Sequence, residues 1–281
     1  MIIDFHTHVF PDALAPRAMA QLQSTSHHAY YTDGTASGLR SSMKEAGIDY
    51  SVVLPVVTNP EKASRINDIS IANQMQDGLI YFGGIHPDTQ NWYAELGRLA
   101  CAGVKGFKIH PVSQGVDIDD IRYLRILERA AELGLIVVMH AGDDPSFPGQ
   151  TRCNPEKTRK ALMQVPHVTF VAAHMGGEWN WDRVEDQLAD TCAYLDTSNS
   201  LGRREKIDDY HPDSHFELMN EEEFCRLVTV FGKERILFAA DSPWGNQVTY
   251  VKQIAALPLD ADTFDHIFYK NACRLLKLQY K

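Results

Sequence analysis

Short apolar runs alternate with longer stretches in which apolar residues recur every three or four positions, about eight times along the chain. The short runs at 2–6, 51–56, 79–85, 104–109, 135–139, 168–173, 192–196 and 235–240 predict strands. The longer period predicts helices near 36–46, 62–77, 89–101, 119–133, 154–165, 181–189 and 220–231, with two more at 246–256 and 261–277. Strands alternating with helices of this length predict βαβ units on a parallel sheet. Eight units in 281 residues, roughly 35 each, predict one α/β domain over residues 1–281, a (β/α)8 TIM barrel. Gly47, Gly103 and Gly134 each follow a helical run and precede a strand, where a helix end needs a left-handed residue. The stretch 197–219, after the seventh strand, is polar and long for a βα loop.

In such a barrel the C-terminal strand ends carry the chemistry, and here they are unusually polar. The first run closes on His6-Thr7-His8, two imidazoles two residues apart and so on one face of a strand. The fifth run ends in His140, the sixth in His174 and the eighth in Asp241, while the fourth carries Lys108 and His110 on one parity. Taken singly, each has a plain structural explanation: a buried histidine is usually just hydrogen-bonded, and an aspartate after a strand often caps a helix. Their joint occurrence at strand ends points to a divalent metal site that activates a water. Asp241 can touch both metal and water and serve as acid and base; His174 can orient the water or polarise a carbonyl.

Composition narrows the partners. The net charge of −10 argues against nucleic acid or an anionic membrane surface, leaving a small-molecule substrate. No apolar run is long enough to span a bilayer, and the N-terminus lacks the basic region of a secretory signal. Five cysteines without a CxxC pair predict reduced thiols and a cytoplasmic protein. Homo-oligomerisation stays open at this level.

The ordered set His6-Thr7-His8, Lys108, His140, His174 and Asp241 resembles the amidohydrolase superfamily, and within it the amidohydrolase 2 branch, over the whole chain from Asp4-Phe5-His6-Thr7-His8 to Ala240-Asp241-Ser242-Pro243-Trp244. The resemblance implies a metallo-dependent hydrolase-type barrel in which His6, His8 and Asp241 hold a first metal and Asp241 is the acid/base. Gly106-Phe107-Lys108-Ile109-His110 is similar to the strand-four segment of ureases, where such a lysine is carboxylated and bridges two metals, with His140 and His174 on the second. Many relatives in the branch instead use one metal, bound by the HxH pair, His140 and Asp241, with Lys108 an ordinary ammonium. Zinc is the first expectation for the ion, manganese or iron the alternatives. The expected activity is hydrolysis of an amide, lactone or ester; the alternative is non-oxidative decarboxylation, which the branch also contains. A barrel that binds metal without turnover is a third possibility.

Weaker signals surround this set. His86, before Pro87, and His110 are candidate substrate contacts, as is Trp244, which directly follows Asp241-Ser242-Pro243. Arg203 could bind a substrate carboxylate together with Arg204, although solvated surface charge is the plainer explanation of both. His27-His28 reads as a solvated loop pair, Cys192 as a buried small hydrophobe, and Glu221-Glu222-Glu223 as the first turn of a helix after Asn220.

Overall fold

In the computed structural model, which describes residues 1–279, strands and helices alternate along the chain. The strands are β1 (Ile3–Thr7), β2 (Tyr50–Val53), β3 (Met75–Gln76), β4 (Leu79–Tyr81), β5 (Gly83–Gly84), β6 (Gly106–Ile109), β7 (Ile136–Met139), β8 (Thr169–Ala172), β9 (Ala193–Asp196) and β10 (Ile236–Leu237). The α-helices are α1 (Ala15–Ser26), α2 (Ala36–Ala46), α3 (Ala63–Asn73), α4 (Trp92–Ala102), α5 (Pro111–Gln114), α6 (Ile121–Leu133), α7 (Pro155–Gln164), α8 (Trp181–Leu188), α9 (Glu221–Phe231), α10 (Gln247–Ala255), α11 (Ala261–Asp265) and α12 (Asn271–Leu276). A π-helical turn, His266–Lys270, joins the last two. The chain divides into two compact units. One holds Met1–Val53, Asp144–Pro148 and everything described from Asp196 on; the other holds Leu54–Asp143 and Gly149–Leu195. No helix among the described residues is long and apolar enough to cross a membrane.

In the second unit β5 to β9 form a continuous parallel ladder, with Gly84 opposite Lys108, Lys108 opposite Val138, Val138 opposite Val171 and Val171 opposite Tyr194. Every residue of β6 and β7 is buried, as a parallel strand covered on both faces requires. Helix α6 shows why its sequence is a helix. Asp120 caps it by accepting from Arg122 N, Gly134 ends it at φ +64°, and Tyr123, Leu124, Ile126, Leu127 and Ala130 form its buried stripe. Next to it, Gln114 closes four hydrogen bonds. Its Nε2 donates to Val57 O and Ile85 O, both at 2.7 Å, and its Oε1 accepts from His110 N at 2.8 Å and from the Tyr123 hydroxyl. Each is worth about 1 kcal/mol net, and together they tie three loops at strand ends to one side chain.

Two features depart from the sequence reading here. The helix expected over 62–77 stops at Asn73, and Met75–Gln76 pairs antiparallel with Leu79–Ile80 instead. Asp77 and Gly78 between them both have positive φ, 50° and 80°, the type I′ geometry that an Asp-Gly turn favours. In the first unit, α1 was not expected at all.

In the first unit β1 runs parallel to β2, with Ile3 opposite Tyr50 and Asp4 opposite Ser51. The expected eighth strand is regular only at Ile236–Leu237, but its continuation stays hydrogen-bonded to β1 and the residue after it: Phe5 N donates to Phe238 O, Asp241 N to His6 O and His8 N to Ser242 O. Helix α9 begins in a capping box between Asn220 and Glu223, which gives the acidic first turn its role. The polar stretch 197–219 folds back on itself, Gly202 N donating to Met219 O and Arg204 N to Phe216 O.

That fold-back corrects the reading of His28 as solvated. It is 6% exposed, with its ring 5.7 Å from Phe216 and 5.9 Å from His211, and its Nε2 has no hydrogen-bond partner among the described residues. Burial, reinforced by Arg204 and His211, pushes its pKa down to about 2. The unfolded chain takes up a proton near pH 6.5 that the folded state refuses, so stability present above that pH is lost as the pH falls through it. From pH 6.5 to 5 the His28 contribution should reach about 2 kcal/mol. His28→Phe keeps a ring against Phe216 and should flatten the urea-melt stability over that interval; the same slope in variant and wild type would refute the assignment.

Candidate metal centre

All five residues of β1 are buried. Thr7 Oγ1 donates to Val52 O at 2.8 Å, which fixes the strand end and aims the flanking imidazoles together. His6 Nε2 lies 3.1 Å from His8 Nε2, and Asp241 Oδ1 lies 3.6 Å from the first and 3.1 Å from the second. Ligands bound at 2.0–2.1 Å around a tetrahedral ion stand about 3.3 Å apart, so the three donor atoms fit a zinc-like cation. The donor chemistry, two imidazoles and a carboxylate, fits as well.

A second layer orients these groups. His6 Nδ1 is 2.9 Å from Asp196 Oδ2 and 3.3 Å from Ser198 Oγ, while Asp196 Oδ1 accepts from Ser198 N and its hydroxyl. With Nδ1–H donated to a wholly buried carboxylate, the His6 lone pair sits on Nε2, toward His8 and Asp241. Asp241 Oδ2 accepts from Asn199 Nδ2, so Oδ1 is the oxygen that faces the imidazoles. Asp241 and Asn199 both hold positive φ, 62° and 46°, a backbone state costing L residues about 1–2 kcal/mol. The turn beyond Asp241 needs glycine: a Cβ on Gly245 would lie 1.6 Å from Ala240 O. Beneath, the buried Asp4 accepts from His6 N, Ala240 N and Gln247 Nε2; desolvation lifts its carboxyl to about 7 against the pull of those donors. Trp244 meets the His8 ring edge-on at 5.5 Å. A cavity of about 300 Å³ in this unit reaches Asn199 and Trp244 and is bordered by Tyr31, Arg203 and Arg204.

The second unit holds its own group. His140 follows β7 and His174 follows β8, with His174 Nε2 3.0 Å from His140 Nδ1. His140 Nε2–H donates to Asp143 O at 3.1 Å, which leaves Nδ1 as the acceptor of the pair. Glu178 Oε2 lies 3.9 Å from His174 Nε2, both side chains 3% exposed, and one donor atom each from His140, His174 and Glu178 falls within 4.8 Å. The His110 ring stacks on His140 at 4.2 Å and 6°. His174 and Met175 have φ of 56° and 50°, and Trp181 Nε1 holds the His174 carbonyl at 2.8 Å. Glu178 comes this close because residue 142 is glycine: at φ +91° a Cβ there would lie 2.1 Å from Glu178 N. Lys108, on β6, is 1% exposed.

The structure thus brings together His6, His8 and Asp241 in one unit, and His110, His140 and His174 in the other. His86 Nδ1 accepts from Asp88 N in its own turn, and burial lowers its pKa. Arg203 pairs with Glu217 at an exposed position. Cys192 is half-buried rather than buried. Asp196, Asn199 and Glu178 were not among the expected site residues. The signal was the run Asp196-Thr197-Ser198-Asn199-Ser200, five polar residues closing a strand, all of them buried.

A sequence profile of the family described as amidohydrolase matches residues 3–278. No curated protein matches the sequence. Among solved structures, an uncharacterized TIM-barrel protein from Bordetella bronchiseptica is similar at 18% identity and TM-score 0.74, covering 99% of this chain and 98% of that one. A 5-carboxyvanillate decarboxylase from Sphingomonas paucimobilis is similar at 14% identity and TM-score 0.70, covering 99% of each chain. A protein from Pseudomonas putida, provisionally named a 2-pyrone-4,6-dicarboxylic acid hydrolase, is similar at 18% identity and TM-score 0.67, covering 100% of this chain and 98% of that one. The fold is therefore the α/β TIM barrel expected from the sequence rhythm.

Proposed function

Because this chain belongs to the amidohydrolase family, an enzyme family whose relatives include hydrolases and decarboxylases, we propose that it is a metal-dependent hydrolase of a small amide, lactone or ester. The observation that carries this reading is the triangle of His6 Nε2, His8 Nε2 and Asp241 Oδ1, with sides of 3.1, 3.1 and 3.6 Å. A bound divalent ion, zinc first and manganese or iron as alternatives, would supply Lewis acidity and lower the pKa of a water toward neutrality. The Asp241 carboxylate takes the proton of the attacking water and returns it to the leaving group. Asp196 holds the His6 ring so that its Nε2 lone pair would face a bound ion, and Trp244 would wall the substrate beside His8. Arg203, at the rim of the same cavity, is proposed as a contact for an anionic substituent. Within the second unit, His140 and His174 with Lys108 are proposed as a second donor set, His174 also as the group that orients the water or polarises the carbonyl, and His86 and His110 as substrate contacts.

The decarboxylase named above supports the second reading, in which a metal held by the same residues would bind a carboxylated substrate and Asp241 supplies the proton that replaces CO2. Turnover in ¹⁸O-labelled water, over a panel of lactones, amides, esters and aromatic acids, separates the two. Hydrolysis places one labelled oxygen in the product acid; decarboxylation releases CO2 and leaves the organic product unlabelled. CO2 release with no hydrolysis of any panel member would overturn the proposal.

A further inference from the structure

One buried side chain at the metal centre has no part in the proposed reaction. Asn199 stands three residues beyond β9, is 5% exposed, and uses its Nδ2 to hold Asp241 Oδ2. Its segment is fastened to the run that carries Asp241. Thr197 N donates to Leu237 O at 3.0 Å, Thr197 Oγ1 donates to Ala239 O and accepts from Ala239 N, both at 2.9 Å, and Ser200 Oγ donates to Thr197 O at 2.7 Å. The amide therefore cannot follow a swing of the carboxylate. Positive φ at both residues fixes the geometry from the backbone side too, and asparagine is among the few side chains that tolerate it.

We propose that Asn199 is a positioning residue that confines Asp241 to one ligating oxygen, Oδ1, and so keeps a coordination position free for water or substrate. The inference rests on reading His6, His8 and Asp241 as metal ligands. A carboxylate beside a divalent ion can chelate through both oxygens, and a second oxygen occupies the position that a catalytic site leaves open. Here chelation requires breaking a buried charge-assisted hydrogen bond and leaving an amide N–H without a partner. Outer groups of this kind govern how first ligands bind.

The test uses cobalt(II) as the probe metal and azide as the probe of an open position, with no substrate needed. Asn199→Gly removes the amide while keeping a residue at ease with positive φ. The variant should bind about one cobalt per chain, as wild type does, but with a visible band shifted in wavelength and shape, because a carboxylate oxygen would replace the water on the cobalt. Its azide Kd should rise at least about tenfold, in line with the effect of losing an outer-layer partner. Should the glycine variant fail to melt cooperatively, Asn199→Ala carries the same expectations. A folded variant with an unaltered band and unaltered azide Kd would overturn the role of Asn199. A cobalt band that survives intact in a His6→Ala/His8→Ala protein would instead remove the ligand reading beneath it.

Discussion

Replacing His6 and His8 together by alanine should strip the purified protein of its divalent ion and reduce turnover by at least about 10³-fold, since two of the three nitrogen and oxygen donors disappear and the water-activating ion goes with them. Metal content by mass spectrometry is the primary measurement, expected to fall by about one equivalent per chain from the wild-type value. The two histidines differ in what else they do. His6 is 1% exposed and is a partner of the wholly buried Asp196, so its loss removes one donor to a buried carboxylate and should also lower the melting temperature. His8 is more open, its side chain 11% exposed, and His8→Ala alone should lose metal affinity with little change in melting. Full metal occupancy in the double variant would sink the assignment of this centre.

Asp241→Asn should lower kcat by about 10² or more, because an amide cannot accept the proton of the attacking water. The hydrogen bonding adds a second expectation. Asp241 uses Oδ2 for Asn199 and presents Oδ1 to the imidazoles, and an amide has one oxygen where the carboxylate has two. The substituted side chain must either set its own N–H₂ against the Asn199 amide or turn it toward the ion, so metal affinity should weaken by about 10–100-fold as well. Kinetics at saturating metal separate the effects. A kcat near that of wild type under those conditions would remove Asp241 from the acid/base role and leave it a ligand only.

Much of this was legible in the sequence, and where it was not the reasons are physical. The strand and helix alternation follows from two periodicities that survive in the composition of each segment, and α2 emerged with its observed bounds because Thr35 caps it and Gly47 ends it. Helix α1 escaped notice because its first residue has no side-chain cap and its buried face is only Ala15, Met19 and Ser26, too small and too polar to stand out. The short hairpin at Met75–Tyr81 was hidden by an apolar spacing that continues the period of α3, although Asp77-Gly78 carried the turn signal. At the candidate site, the imidazoles and Asp241 were visible because each interrupts an apolar run. Asp196, Asn199 and Glu178 were not, because aspartate, asparagine and glutamate where a strand gives way to a loop look like solvated surface until the fold buries them. His28 failed for the same reason.

The four hydrogen bonds gathered by Gln114 bear on how this protein can diverge. A loop that meets its neighbours only through water can drift alone, whereas the loops at Val57, Ile85 and His110 share one amide and inherit one another's constraints. No other side chain offers two donors and a two-lone-pair oxygen at that reach, so a single substitution at 114 has no neutral first step. Lineages that abandon the amide should also have exchanged Tyr123 for a residue without a hydroxyl and rebuilt the three loops together. Substrate range in this branch of descent would then change by replacement of whole loop sets, in jumps rather than by accumulation of point changes.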